Sequence, residues 1–262
     1  MLDPKSTEEL MNEAKAIVPE VYKDLAKPAV SEVGIVAGRT VKALLAPIRG
    51  LLWGWERIEE VVEEGVRKRF EKIPEERRKS PEPEIAVPLI QALEYTAQNE
   101  TLREMYINLL ANSMDTEKEK IVHPSFVEII KQMNSLDARV FEKLSLIRNY
   151  QRILNPRISI KGQGRFFRQG VPEWYMGWSI EGFNELDVSA SIIRLNKFGL
   201  IELMYDRSQT GVSYSDLKNT LFLTNLLNQY KLATPNLEIE IEGTKSVVYV
   251  NEYGLQFKNA CQ

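Results

Sequence analysis

The chain has 262 residues, of which 44% are hydrophobic and 27% charged, enough for one large domain or two ordinary ones. Its formal net charge of -3, from 34 basic and 37 acidic residues, excludes a global attraction to nucleic acid or acidic membranes, so any such binding requires a local patch. The single cysteine, Cys261, excludes an intrachain disulfide and a multi-cysteine metal site. Together with a start that lacks the basic and apolar parts of a signal peptide, it predicts a cytoplasmic protein.

The first 55 residues predict two helical segments. Residues 6–27 form an amphipathic pattern that ends before Pro28. Residues 30–55 are apolar around most of a helical wheel, but four charged residues interrupt them, so they lack the run of about 20 apolar residues that a spanning helix needs. Within them, Gly34 and Gly38 permit close helix approach, and Trp53 and Trp55 resemble interfacial anchors. We interpret this segment as a core helix or an oligomer contact, with membrane-surface association as the alternative.

Residues 56–73 place an apolar stripe, which includes Val62 and Val66, on one helix face surrounded by charge. This pattern favours self-association through that face. The next segment, residues 74–84, is rich in proline and charge and predicts a linker between domains.

Helices are predicted over residues 86–97 and 99–113, the second capped by Asn99. Another begins near Pro124, and one more follows the cap at Asn134 and runs to about Tyr150. The last third changes character, with extended segments near 157–161 and 200–205. Acidic residues alternate over 237–242, and a second extended run follows at 246–250, so we predict a β-hairpin that turns at Gly243 and Thr244.

One stretch resembles a known bacterial family. The segment NLLANSMD (108–115), the segment VHPSFVEIIKQMNSLDARVFEKL (122–144) and the downstream segment SIIRLNKFGLIEL (191–203) are similar to the core of the abortive infection alpha family. The resemblance covers roughly residues 85–205. It implies a role associated with phage defence and assigns no catalytic residue.

The C-terminal part also resembles winged-helix domains. A helix carrying Ile192 and Leu195 follows Asp187, Gly199 ends it, a strand and the predicted hairpin come next, and residues 251–261 form a closing helix. A long insertion between the first strand and the hairpin, residues 206–235, departs from the winged-helix pattern. We expect it to contain an extra helix over residues 214–230 that obstructs a DNA-facing surface.

No pattern predicts catalysis, a metal or a cofactor. His123 is the only histidine and precedes Pro124 at a helix entry, which favours a structural role over membership of a catalytic triad. The glycines at 162, 164 and 170 lack the Lys-Ser/Thr pair of a phosphate-binding loop, so a flexible hairpin is the better interpretation.

A basic segment is the strongest candidate for partner binding. Six basic residues occur between 148 and 168 with two phenylalanines interleaved; the candidate residues are Arg157, Lys161, Arg165, Phe166, Phe167 and Arg168. Guanidinium groups beside aromatic rings suit nucleic acid and equally suit an acidic protein partner, and a solvated loop is the third interpretation. In the winged-helix interpretation, Arg194 and Lys197 project outward, but the acidic residues of the hairpin oppose a phosphate backbone, so DNA reading is disfavoured.

The sequence therefore predicts a mainly α protein with a small β component. We expect a helical N-terminal module (1–73), the linker (74–84), a helical domain (85–150) and a winged-helix-like domain (151–262). The leading hypothesis is a non-enzymatic phage-defence protein that works through protein contacts or self-association, without a cofactor. The alternatives are a membrane-active effector that uses residues 30–55 and a nucleic-acid-binding regulator that uses the basic segment.

Overall fold

The structure, a computed structural model, describes residues 59–96, 99–205 and 207–262. The chain divides into two compact units, one comprising Met1–Gln132 with Asn259–Gln262 and the other Met133–Lys258. The division falls within the range 85–150 that the sequence assigned to a single helical domain.

The described part of the first unit is helical. Its helices are α1 (Glu59–Phe70), α2 (Pro83–Thr96), α3 (Glu100–Ser113) and α4 (Ser125–Gln132). The predicted cap of α3 is confirmed, because the Asn99 side chain accepts a hydrogen bond from Leu102 N at 3.3 Å. The apolar stripe of α1 packs on α3, and the largest side chains of this core include Leu89, Tyr106 and Phe126.

The proline-rich segment 74–84 is tied to this helical unit. It contains a short 3-10 helix, Glu75–Arg77. Its backbone exchanges hydrogen bonds with the end of α3, from Lys79 N to Met114 O and from Thr116 N to Arg77 O, both at 3.0 Å. Pro81 is buried. The prolines prevent regular structure here, but backbone pairing holds the segment in place.

The second unit combines helices with one antiparallel sheet. Helix α5 (Ser135–Ser145) precedes strands β1 (Gln151–Ile160) and β2 (Phe166–Phe167), followed by α6 (Glu185–Lys197) and β3 (Ile201–Met204). Helices α7 (Ser215–Lys218) and α8 (Leu221–Ala233) form the predicted insertion, and β4 (Ile239–Val250) and α9 (Glu252–Cys261) complete the chain. The strand order is β2-β1-β4-β3. The fold is mainly α with a small β component, as predicted.

The predicted hairpin at Gly243 is wrong. Strand β4 runs without a turn through Gly243, which pairs with Pro156 in a ladder that extends from Ile239 opposite Ile160 to Val248 opposite Gln151. A Cβ at Gly243 would lie 2.9 Å from the Leu154 side chain and 3.0 Å from Asn155 O. The glycine is therefore required for close approach of two strands, not for a turn. The winged-helix resemblance stays a prediction, without this wing.

The two faces of the sheet differ because side chains alternate along each strand. One face carries Leu154, Ile158 and Ile160 and is covered by α7 and α8. The other carries Arg157 and Ser159 of β1 opposite Glu242 and Glu240 of β4. The predicted alternation of acidic and apolar residues in β4 is confirmed, and it places the acids on this second, polar face of the sheet.

Candidate functional site

The polar face of the sheet contains most of the predicted partner-binding residues, and two of its basic groups are paired with acids. Arg157 donates from Nε and Nη2 to Glu242 Oε2 at 3.1 and 2.9 Å. Lys161 Nζ donates to Glu238 Oε1 at 2.7 Å. The antiparallel register explains the first pair, because Arg157 lies directly opposite Glu242.

The aromatic residues of the basic segment occupy opposite faces. Phe166 is 47% exposed and lies between the guanidinium groups of Arg157 and Arg168, at 5.4 and 5.5 Å from its ring centre. Phe167 instead stacks on Tyr230 of α8, with ring centres 5.1 Å apart. Arg168 also donates to Asn155 Oδ1 at 2.9 Å, whereas Arg165 is exposed.

The charges on this face almost cancel. The three basic residues Arg157, Lys161 and Arg168 share the surface with Glu238, Glu240 and Glu242. Hydrogen bonds from Ser159 and Arg157 lower the pKa of Glu242, and a hydrogen bond from Lys161 lowers the pKa of Glu238. Both carboxylates therefore keep their negative charge at neutral pH. A phosphate backbone would have to compete with them for the same cations.

Arg194 and Lys197, both on α6, have different surroundings. Arg194 donates to both carboxylate oxygens of Asp137, from Nε at 3.0 and 3.1 Å and from Nη2 at 2.7 Å, and the Asp137 side chain is 0% exposed. Arg194 therefore anchors α6 to α5. Lys197 is exposed. The structure does not bring these two residues together with the basic segment in one site.

The predicted self-association residues of α1 pack inside the first unit. Val62 and Val66 are fully buried within a single chain, on the helix that packs on α3, and self-association through them stays a prediction. The other four candidates, Gly34, Gly38, Trp53 and Trp55, lie outside the described residues. In the ranges 59–96, 99–205 and 207–262, no helix is long and apolar enough to cross a membrane.

The segment that resembles the defence family stabilises the first unit. Asn108 and Asn112 lie four residues apart on one face of α3 and donate to Cys261 O and Ala260 O at 3.0 and 2.9 Å. These carbonyls end α9, where intrahelical donors are lacking. Asp115 accepts hydrogen bonds from Arg77 Nε and Nη2 at 3.0 and 2.6 Å. The signature therefore closes a helix end and holds the proline-rich segment.

The first unit also has an open polar cleft of about 800 Å³ between α1 and α3. Its walls carry ion pairs between Arg69 and Glu104 and between Lys68 and Glu64. Among the residues that the structure describes, no group of three or more His, Cys, Asp or Glu side chains is placed to hold a metal.

A surface that the sequence did not predict follows α5. Leu146, Ile147 and Tyr150 are 72%, 50% and 50% exposed, and we call them the apolar ridge. Helix α5 buries Phe141 and Leu144 and ends at Ser145, so the next residues no longer face the core. The sequence pattern predicted that this helix continues to about Tyr150, and no local signal marks the ridge as a surface.

Three hollows adjoin the apolar ridge. Tyr150 lines one of about 520 Å³ with Met204, Val247 and Arg207. Ile147 and Tyr150 line one of about 260 Å³, whose only charged residue is Arg152. Leu146 lines the third, of about 310 Å³, in which two bases, Arg139 and Lys143, lie with two acids, Glu142 and Glu181. The first two hollows have only basic residues as charged lining, whereas the charges of the third are balanced.

Neighbouring aromatic contacts hold the ridge in place. The Tyr150 ring packs edge-on against Tyr249, with ring centres 4.9 Å apart. The Tyr249 hydroxyl donates to Glu202 Oε2, and this hydrogen bond raises the pKa of Tyr249 to about 12. Lys143 lies 4.7 Å from the ring centre of Trp178, which lines the smallest hollow. The contact with Tyr249 therefore fixes the Tyr150 ring beside the hollows.

Comparison with known proteins identifies one family. The family model described as abortive infection alpha matches residues 54–261, a range that includes both the signature in the first unit and the apolar ridge in the second. No curated protein and no solved structure matches the chain.

Proposed function

The chain belongs to the abortive infection alpha family, and on that premise we propose that it acts in defence against phage as a non-enzymatic protein, by binding a protein partner through the apolar ridge. The observation that carries this proposal is the exposure of Leu146, Ile147 and Tyr150 in one short segment. Contiguous exposed apolar surface of this kind favours burial against another protein.

The charges around the ridge define the partner's chemistry. Arg148 within the ridge segment and Arg207 beside it are exposed, and Arg152 lines the smallest hollow. Arg152 is paired with Asp216 at 2.8 Å, so Arg148 and Arg207 contribute most of the accessible positive charge. The partner is a protein segment that offers apolar side chains to the hollows and acidic side chains to these two arginines.

Two groups next to the ridge have shifted pKa values. Groups that transfer protons in enzymes have pKa values near the working pH. Next to the ridge, a hydrogen bond to Glu202 moves the pKa of Tyr249 up to about 12, and a hydrogen bond from Arg152 lowers the pKa of Asp216. Both groups are therefore shifted away from neutral pH and serve to hold neighbouring residues.

The polar face of the sheet favours a protein partner over nucleic acid. Its acids pair with Arg157 and Lys161, and a nucleic acid would gain little from cations that are already neutralised. Among the described residues no acid pairs with Arg148 or Arg207, but two of the three ridge side chains, Leu146 and Ile147, are aliphatic and do not provide the stacking surfaces that single-stranded nucleic acid requires.

The test is phage challenge of bacteria that express the full chain. We expect the double variant Leu146→Ser/Ile147→Ser to lose protection. Loss of two apolar side chains that the partner would bury weakens the affinity of an interface by a factor on the order of 100. The measurement is the efficiency of plating against a panel of phages that the unmodified chain restricts, with circular dichroism of the purified variant to confirm folding.

The matched control is Leu186→Ser/Ile193→Ser, which removes two apolar side chains of α6 that are 41% and 38% exposed. We expect this control to keep protection. Full protection by a folded ridge variant, or equal loss in both variants, would contradict the proposal.

A further inference from the structure

The inner face of helix α8 packs against the sheet, whereas its outer face is exposed. Leu223 is buried, and Leu226, Leu227 and Tyr230 pack against the apolar face of the sheet. On the outside, Leu221 and Leu232 are 82% and 84% exposed, the highest values among the exposed leucines of the described residues.

The outer face is almost without charge. Lys231 is the only charged residue in the thirteen of this helix. The exposed positions between the two leucines are Thr224, Asn225, Asn228, Gln229 and Lys231. Helices that face water ordinarily carry charges on their outer side. A charged partner would find only Lys231 to pair with here, so the face favours a partner that itself presents leucines and uncharged polar groups.

The spacing of the outer face matches a two-stranded helix pair. Leu221, Asn225, Asn228 and Leu232 are separated by four, three and four residues, the spacing of the two core positions of a heptad repeat. Asparagine at such positions costs stability but selects one register, because a partner asparagine must lie opposite to complete its hydrogen bonds.

The same positions are symmetric about the midpoint between residues 226 and 227. In an antiparallel pair with a two-fold axis there, Leu221 lies opposite Leu232 of the other copy and Asn225 lies opposite Asn228. Thr224 then lies opposite Gln229, a pair that also forms hydrogen bonds. In each of these three pairs, the two side chains are both apolar or can form hydrogen bonds with each other. An antiparallel pair also brings opposite ends of the helix dipoles together, whereas a parallel pair brings like ends together.

We propose that two copies of this chain associate through α8, as an antiparallel two-fold helix pair in which Leu221 packs against Leu232 and Asn225 bonds to Asn228. The occupant of the face is thus a second copy of the chain. This association uses residues other than the apolar ridge and does not depend on the function proposed above.

The size of the contact sets its strength. A helix of thirteen residues is about 20 Å long, so the pair alone buries less than the 1,200 Å² or so of a standard stable interface. We therefore expect a dissociation constant on the order of 10 µM or weaker. Such a dimer forms as the local concentration of the protein rises.

The experiment is sedimentation equilibrium of the full chain from about 1 to 200 µM, a range that brackets this constant. We expect the mass to rise from 30.1 kDa towards twice that value. The variant Leu221→Glu/Leu232→Glu should remain monomeric at all concentrations, because it places carboxylates opposite each other. The variant Leu221→Glu/Leu232→Lys should dimerise, since the antiparallel register places each carboxylate opposite an ammonium group of the other copy.

These two variants change the same positions and differ in one side chain, so loss of folding cannot produce the expected difference between them. A parallel pair reverses the prediction for the second variant, because like charges would then meet, and its failure to dimerise would overturn the register. A monomer at every concentration, or an oligomer that both variants leave unchanged, would overturn the proposal. Neither result bears on the ridge, whose test is phage protection.

Discussion

The polar face of the sheet and the ends of helices α3 and α5 both pair arginine with acid, yet the two regions place the acid differently. On the sheet, the side chains of Arg157 and Glu242 are 41% and 43% exposed. At the helix ends, the carboxylates of Asp137 and Asp115 are 0% and 3% exposed, and each holds an arginine that is 36% or 26% exposed.

This difference in burial separates two effects of an ion pair. Exposed pairs contribute little to stability because water solvates the separated charges almost as well. They still cancel the charge of the surface that a ligand would meet. A buried carboxylate has lost its water, so removal of its partner or of the carboxylate itself disrupts the packing around it. The helix-end pairs therefore hold the fold, and the sheet pairs determine what the surface attracts.

The largest effect is expected at Asp137, which caps α5 and binds Arg194. Its Oδ2 accepts from Asn134 N at 3.1 Å as the reciprocal half of a capping box. We expect Asp137→Ala to lower the free energy of unfolding by about 3 kcal/mol, because it breaks a buried pair as well as a cap. Urea denaturation followed by circular dichroism measures it.

Helix α6 offers the matched control for this variant. Asp187 occupies the same position in the capping box of Asn184, with an Asn184 N to Asp187 Oδ2 distance of 3.0 Å. Asp187→Ala should cost no more than about 1 kcal/mol. Equal losses in the two variants would show that the contact with Arg194 adds nothing.

The next effect concerns Asp115 and depends on pH. Burial raises the pKa of this carboxyl, but hydrogen bonds from Arg77 and from Glu117 N outweigh it, so the pKa lies below its ordinary value of 3.8. A carboxyl with a lowered pKa in the folded state stabilises the fold above pH 3.8, and that contribution is lost as the pH falls through the folded-state value.

We expect Asp115→Asn to cost about 2 kcal/mol at neutral pH and to lose less stability than the unmodified chain on acidification below pH 3.8. The control is Glu117→Gln, since Glu117 pairs with the same arginine at 2.7 Å but is 67% exposed; it should leave the unfolding midpoint unchanged. Parallel pH profiles for Asp115→Asn and the unmodified chain would disprove the assignment.

Local signals in the sequence predicted the helix ends well. Asn99 and Asn134 cap the helices that follow them. Gly199, at a φ of +74°, ends α6 as expected, because a left-handed conformation suits a residue without a side chain. Each of these signals depends on residues within four positions of one another, so neighbouring sequence is sufficient to recognise it.

The features that the sequence did not predict depend on distant residues. The residues next to Gly243 predict a turn, but the glycine is needed because the Leu154 side chain on another strand approaches it closely. The local sequence predicts that the Arg194 side chain points outward, but in the structure it binds Asp137, which lies 57 residues earlier in the chain. The polar face illustrates the same limit. Six basic residues within a segment of 21 predict a positive patch, but the glutamates of β4, which lie opposite them in the sheet, are distant in the sequence.

The smallest effect on stability is expected when those glutamates are removed, and this change gives the most direct test of what the charges on the sheet do. The variant Glu238→Gln/Glu240→Gln/Glu242→Gln leaves Arg157, Lys161 and Arg168 on the polar face without acidic neighbours from β4. We expect no measurable change in thermal stability, because these pairs are exposed. We do expect weak binding of a single-stranded oligonucleotide at low salt, measured by fluorescence anisotropy.

Three accessible cations would make the logarithm of that affinity fall with the logarithm of the salt concentration with a slope of about -2. The control variant Glu60→Gln/Glu71→Gln/Glu128→Gln changes three exposed glutamates of the first unit and has the same net charge. It should bind no more than the unmodified chain, since the cations of the sheet remain paired.

Equal binding by both triple variants would show that net charge alone is responsible. Tight binding by the unmodified chain would mean that the glutamates do not neutralise this face, and it would favour a nucleic-acid partner over the protein partner proposed for the apolar ridge.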